Sequence, residues 1–231
     1  MIFPLFDSTI ILLIPAIILT IYAQVKISSA YGKYSQVRSN SGRTGADIAR
    51  ALLDENGLYD VKVEQVAGHL TDHYDPRTQV VRLSSGVYNS TSIAALAVAA
   101  HETGHAVQHA DGYVPLKLRS AFVPIASFGS NVGPILIILG LFLTQTSFLL
   151  TLGIYLFAFA VLFQIVTLPV EYNASNRALA FLGNSGIIAD RDEMHGAQKM
   201  LSAAALTYVA AALTAILTLL RFVLIAQSRD D

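Results

Sequence analysis

His101 and His105 stand four residues apart, with Glu102 directly after the first, and this His-Glu-x-x-His pattern can hold a metal and move a proton. On an α-helix, residues four apart share a face, so both imidazoles reach one ion while Glu102 lies beside them as proton acceptor. The ion that suits such a pair is Zn2+, one per chain, which in hydrolytic sites takes three protein ligands and leaves a position open. A third ligand must therefore come from elsewhere in the chain.

The helix that presents the motif should begin near Asn89 to Ser92, where good capping residues cluster, and end before Asp111 and Gly112, with Pro115 beyond. Its apolar run from Ile93 to Ala100 is too short to cross a bilayer, so it is expected as a buried core helix. Upstream, Thr44 and Asp47 form a helix-start box, and Ile48, Ala49, Leu52 and Leu53 give the apolar face up to a stop at Asn56 and Gly57. Val61 and Val63 alternate with Lys62 and Glu64 as in a half-buried strand. Asp75 and Pro76 suit a tight turn, so His69 to Tyr74 and Thr78 to Ser84 read as a hairpin. A helix, strands and then the motif helix is an α+β order.

The rest of the chain is built for a bilayer. Of its 231 residues 54% are hydrophobic and only 13% charged, and the apolar ones are concentrated in four stretches: Ile2 to Val25, Phe122 to Leu143, Phe148 to Val170, and Ala203 to Ala226. Each is long enough for the roughly 20 residues of helix that a membrane requires. The first lacks a preceding Lys or Arg and a convincing cleavage site, so a retained anchor is expected. Cysteine is absent, which excludes disulfides and thiolate ligands. With a net charge of -1 and no basic cluster with interleaved aromatics, nucleic acid is not an expected partner.

Lys26, Lys33, Arg38 and Arg43 follow the first span, the Thr144 to Ser147 connection carries no basic residue, and Arg177, Arg191 and Lys199 lie between the last two spans. The positive-inside rule therefore puts the N-terminus outside the cell membrane and both polar regions in the cytoplasm, with Arg221 and Arg229 running against it. The organisation expected is transmembrane helix 1–25, a cytoplasmic α+β domain 26–120, a transmembrane hairpin 121–170, a cytoplasmic segment 171–202, a fourth transmembrane helix 203–226 and a tail 227–231.

For the third ligand, His109 lies eight residues past His101, about 12 Å along the helix, too far to share its metal. Asp111 stands where an elongated metzincin motif has its last ligand, but that motif's glycine is Gln108 here. Glu171 is favoured by topology: a membrane hairpin returns the residue just after span three to the side from which span two departed. A carboxylate merely marking the end of the span is the plainer reading of Glu171, and Asp190, Asp192, Glu193 and His195, in an expected polar loop, are rivals.

Three separated segments carry a resemblance. His101 to His105, the stretch LTDHYDPRTQVVRLS from Leu70 to Ser84 and the stretch LPVEYNASNRALA from Leu168 to Ala180 resemble the YugP-type membrane zinc metallopeptidases, in that order and over nearly the whole chain. More distantly the layout is similar to gluzincin peptidases of the HtpX kind, which place a membrane hairpin between the motif helix and a glutamate ligand. There an aspartate four residues after the glutamate supports a ligand histidine; this chain has Ser175. The resemblance implies a mainly α membrane protein with four transmembrane helices and a small α+β gluzincin-like zinc peptidase domain at the cytoplasmic face. It also implies hydrolysis of a protein or peptide substrate, with a role in clearing faulty membrane proteins.

In that chemistry His101, His105 and Glu171 hold the zinc, and Glu102 takes the water's proton and passes it to the leaving amine. His73 and Tyr74 are the candidates to stabilise the oxyanion, and the strand Gln79 to Ser84 is the expected edge for an extended substrate. Two other readings compete with this one. Asn131 and Pro134 faintly resemble the second motif of site-2 intramembrane proteases, but the aspartate it needs is missing after Leu139. A catalytically inactive metal-binding scaffold predicts a damaged motif, whereas this one is intact.

Overall fold

Ten helices and strands follow a short 3-10 turn (Ser8–Leu13) in the computed structural model, which describes residues 8–143 and 147–230: α1 (Ile14–Tyr34), α2 (Gly45–Glu55), β1 (Lys62–Val66), β2 (His73–Asp75), β3 (Val80–Ser84), α3 (Ser85–Tyr88), α4 (Ile93–Ala110), α5 (Val114–Phe142), α6 (Ser147–Asn184) and α7 (Arg191–Asp230). The first residues of the expected N-terminal span, most of the Thr144 to Ser147 connection and the last residue of the tail lie outside the described residues. The chain divides into two compact units, one of residues up to 23, 117–169 and 207 onward, the other of 24–116 and 170–206.

The first unit is made of apolar helix. Among the described residues four helices are long and apolar enough to cross a membrane: Ser8–Tyr34, Val114–Phe142, Phe148–Asn184 and Arg191–Ser228. Only helices and closed barrels satisfy their backbone groups in lipid, and these helices leave Ile11, Ile18, Phe128, Tyr155 and Leu162 exposed. Small residues let α5 and α6 approach closely: a Cβ on Gly133 would sit 3.1 Å from the carbonyl oxygen of Gly153, and one on Gly140 would sit 2.5 Å from the amide nitrogen of Leu150. Ile137, Leu141, Leu150, Phe222 and Ile225 fill the space between helices.

The second unit holds the motif. Its α2 starts as expected, with Thr44 accepting from the Asp47 amide at 3.2 Å while the Asp47 carboxylate accepts from the Thr44 amide at 2.9 Å. Ala49 and Leu53 on α2, Val81 and Leu83 on β3, and Ala95 and Ala99 on α4 form one buried cluster. The opposite face of α4, with Leu96, Ala97 and Ala100, packs into a second cluster with Ala178, Leu182, Ile188 and Leu201. Helix α4 is thus enclosed on both sides, which is why its sequence is apolar almost all round.

The sheet corrects one expectation. Its order is β1-β3-β2, with β1 parallel to β3 (Lys62 opposite Val80, Val66 opposite Ser84) and β2 antiparallel (His73 opposite Arg82). Val80–Ser84 is therefore the central strand and not the edge. Its side chains are enclosed as well, with Val80, Val81, Leu83 and Ser84 buried. The turn between β2 and β3 is as expected, with the Asp75 carboxylate accepting from the Arg77 amide at 2.9 Å and the Thr78 hydroxyl at 2.7 Å.

A second correction concerns the polar stretch that was expected as a loop. Asp192, Glu193 and His195 lie in the first turns of α7. Asp190 caps that helix, its Oδ1 accepting from the amides of Asp192 at 2.8 Å and Glu193 at 2.9 Å. Polarity here reflects helix-start chemistry.

Candidate metal centre

Ser92 caps α4, its hydroxyl accepting from the Ala95 amide at 3.2 Å, and the helix runs unbroken through His101 and His105 to Asp111. Both histidines face α6. Gly104 lies between them, and a Cβ there would stand 2.8 Å from the carbonyl oxygen of Ala174, so the absence of a side chain lets α6 close on the motif. On α6 the next turn back presents Glu171, 2% exposed.

The Glu171 Oε2 lies 3.2 Å from His101 Nε2 and 3.6 Å from His105 Nε2. Ligand atoms from the three side chains all fall within 4.8 Å of one another. Two donors bound at about 2.05 Å to a tetrahedral zinc stand about 3.3 Å apart, and the 3.2 and 3.6 Å separations from Glu171 to the two imidazoles are close to that value. The rings of His101 and His105 meet edge to face with centroids 4.8 Å apart, which turns both Nε2 atoms toward the carboxylate. Two neutral imidazoles and one carboxylate are a fitting donor set for zinc.

The other nitrogen of each ring is also engaged. His105 Nδ1 lies 2.9 Å from Gln108 Oε1, and His101 Nδ1 lies 3.2 Å from the hydroxyl of Ser175. Support of this kind orients a ligand imidazole and selects its tautomer. Burial works against charging His105, but the hydrogen bond to Glu171 and the charges of Glu102 and Glu171 outweigh it and hold its pKa above the usual histidine value. Glu102 is itself buried, 8% exposed, beside the triad but outside the set of ligand atoms.

The remaining candidates have other partners. Tyr74 is half-buried with its hydroxyl 2.9 Å from His109 Nδ1, one turn along α4 from His105. Burial, then the charge of Asp75, pushes the Tyr74 pKa up to about 12. His73 is exposed, with Nδ1 2.8 Å from the Thr71 carbonyl, so no contact brings it or Tyr74 to the triad. Asp111 pairs with Arg177 at 2.6 Å, and buried Glu193 accepts from the Ser39 hydroxyl at 2.7 Å and the Asn40 amide at 2.8 Å. Asn131 donates to the Ser127 carbonyl of its own helix at 2.7 Å, a local bond that gives the site-2 resemblance no support.

Residues 9–227 match the model of a family described as "Putative neutral zinc metallopeptidase". The chain belongs to that family. It is 53% identical over 223 residues to "Putative membrane protease YugP" of Bacillus subtilis (strain 168), a match covering 96% of this chain and 98% of that protein. No solved structure matches. With its four apolar helices, this membership describes a multi-pass membrane protein of a zinc metallopeptidase family.

What sequence reasoning missed was Gln108, which had served only as a mismatch to another motif. The signal was present: an amide three residues past His105 shares its helix face.

Proposed function

We propose that the protein is a zinc-dependent endopeptidase whose metal is held by His101, His105 and Glu171. The observation that carries this reading is the convergence of three ligand atoms within 4.8 Å from two helices, with Glu102 buried alongside. Bound there, zinc supplies Lewis acidity, bringing water's pKa toward neutrality and polarising the scissile carbonyl.

The chain's own residues do the rest. Glu102 accepts the proton of the attacking water and delivers it to the leaving amine, a two-way transfer suited to a carboxylate near but not on the metal. Gln108 and Ser175 keep both imidazoles facing Glu171 through their Nδ1 contacts. Of the two hairpin residues, Tyr74 is the one linked to α4, through His109 Nδ1, and a role at the oxyanion requires that its hydroxyl leave that partner when substrate binds.

The active site is proposed to face the cytoplasm, on the strength of the Lys and Arg residues that follow span one and span three. Turnover of membrane proteins is the proposed setting, supported by the relative's description as a membrane protease. The test is the full chain in detergent, wild type against Glu102→Gln, measured for bound zinc and for cleavage of casein. Retained zinc with cleavage reduced by at least about 100-fold is expected; cleavage at the wild-type rate refutes the mechanism.

A further inference from the structure

We propose that Gln108 is a positioning residue for His105, held in a single orientation by a hydrogen-bond chain that runs through Asn173 to the Asp111–Arg177 ion pair. The inference rests on the zinc-site reading above.

Gln108 is fully buried, so both ends of its amide must be satisfied. Its Nε2 donates to the Val170 carbonyl at 2.8 Å and to Asn173 Oδ1 at 2.9 Å, and its Oε1 faces His105 Nδ1 at 2.9 Å. A backbone carbonyl can only accept. Val170 therefore fixes which end of the amide is NH2, and the oxygen is left for the histidine. Facing an oxygen, His105 Nδ1 must be the donor, and its Nε2 lone pair points to the Glu171 side, where a metal would take it.

The far end is fixed in the same way. Arg177 Nε, which can only donate, reaches Asn173 Oδ1 at 2.9 Å, so that oxygen accepts from both Arg177 and Gln108. Arg177 Nη1 then closes on Asp111 Oδ2 at 2.6 Å, at the cap of α4. Two groups with no choice of role, the Val170 carbonyl and the Arg177 guanidinium, thus determine every ambiguous amide between them. The chain also ties α4, which carries two ligands, to α6, which carries the third. It sets both the tautomer of His105 and its separation from Glu171.

The chain uses Asn173 only through its oxygen, and this gives a discriminating pair of variants. Asn173→Asp keeps that oxygen, and Asn173→Leu removes it; Gln108→Leu removes the link at the histidine. Zinc affinity of the full chain in detergent is measured by competition with a chromophoric chelator, together with the Tm of the metal-free protein. Gln108→Leu and Asn173→Leu should bind zinc about tenfold or more weakly, with Asn173→Asp within about threefold of wild type. Equal affinities for Asn173→Asp and Asn173→Leu overturn the proposal, as does a lowered metal-free Tm with unchanged zinc affinity. Should Gln108→Leu fail to fold, the half-buried Asn173 pair decides alone. Failure of the wild type itself to bind zinc overturns the underlying site reading, an outcome distinct from loss of the chain.

Discussion

Gly104→Ala separates two physical effects that act in opposite directions at the centre of the motif. By helix propensity alone, alanine in a helix interior is favoured over glycine by about 1 kcal/mol, so the substitution should stabilise α4. The structure predicts otherwise, because the added Cβ would stand 2.8 Å from the Ala174 carbonyl oxygen, while ordinary contact begins near 3.4 Å. Helix α6 must retreat by roughly 0.6 Å, the difference between those distances, or the backbone of α4 must bend. Overpacking of this kind costs about 1–3 kcal/mol, which equals or exceeds the propensity gain. Zinc binding suffers more than stability, since metal–ligand distances tolerate only about 0.2 Å. The metal-free protein can relax by separating the helices, but coordination has to draw Glu171 back. If 1–2 kcal/mol of the strain is reimposed on binding, zinc affinity falls roughly 5- to 30-fold. Competition with a chromophoric chelator measures this on the full chain in detergent, beside the Tm of the metal-free form. A Gly104→Ala protein with raised Tm and zinc affinity within twofold of wild type would refute the reasoning.

Other variants test neighbouring links. Glu171→Ala should reduce zinc content well below the wild type's, read by metal analysis after gel filtration; unchanged stoichiometry removes Glu171 from the ligand set. Ser175→Ala, which loses the 3.2 Å contact to His101, should weaken zinc binding, and Ser175→Asp should match or exceed wild type, because a carboxylate accepts the Nδ1 proton more strongly than a hydroxyl. Thr44→Ala should cost about 1 kcal/mol by loss of the helix cap, seen as a lowered Tm. The hydrogen bond from the Thr44 hydroxyl, then that from its amide, lowers the Asp47 pKa. A carboxylate with a depressed folded value stabilises above its unfolded pKa of about 3.9, and that contribution is lost as pH falls through the folded value. The Tm difference between wild type and Asp47→Asn should therefore be full at neutral pH and shrink in acid; a pH-independent difference contradicts the assignment.

Much of the fold was legible because local chemistry decides it. Thr44 with Asp47, the run of caps ending at Ser92, and Asp75 with its turn each satisfy nearby backbone groups, so short-range sequence is enough to place them. The four apolar helices were legible for the same reason, since length and hydropathy are properties of one segment. Strand order was not. Whether Val80–Ser84 is central or at an edge depends on a parallel partner, β1, that precedes it by a crossover, and no residue within either strand specifies that pairing. The helical start of α7 in polar sequence was hidden because charged residues that read as a loop are equally good first-turn residues once Asp190 caps the helix.

The site divides along the same line. His101 and His105 were legible because one helical turn fixes their spacing, and Glu171, 70 positions after His101, because the apolar spans between them restrict where the chain can return. Gln108 needed the structure, since its role depends on a carbonyl 62 positions away whose hydrogen-bonding direction alone settles the amide. Its legible sign was thermodynamic. A fully buried amide on an enclosed helix would cost about 1–3 kcal/mol if left unpaired, so its presence beside His105 implies partners on the helix that closes over it. That helix also carries Glu171, and in this site the burial of one glutamine and the convergence of His101, His105 and Glu171 accompany the same close approach of α4 and α6, which Gly104 permits.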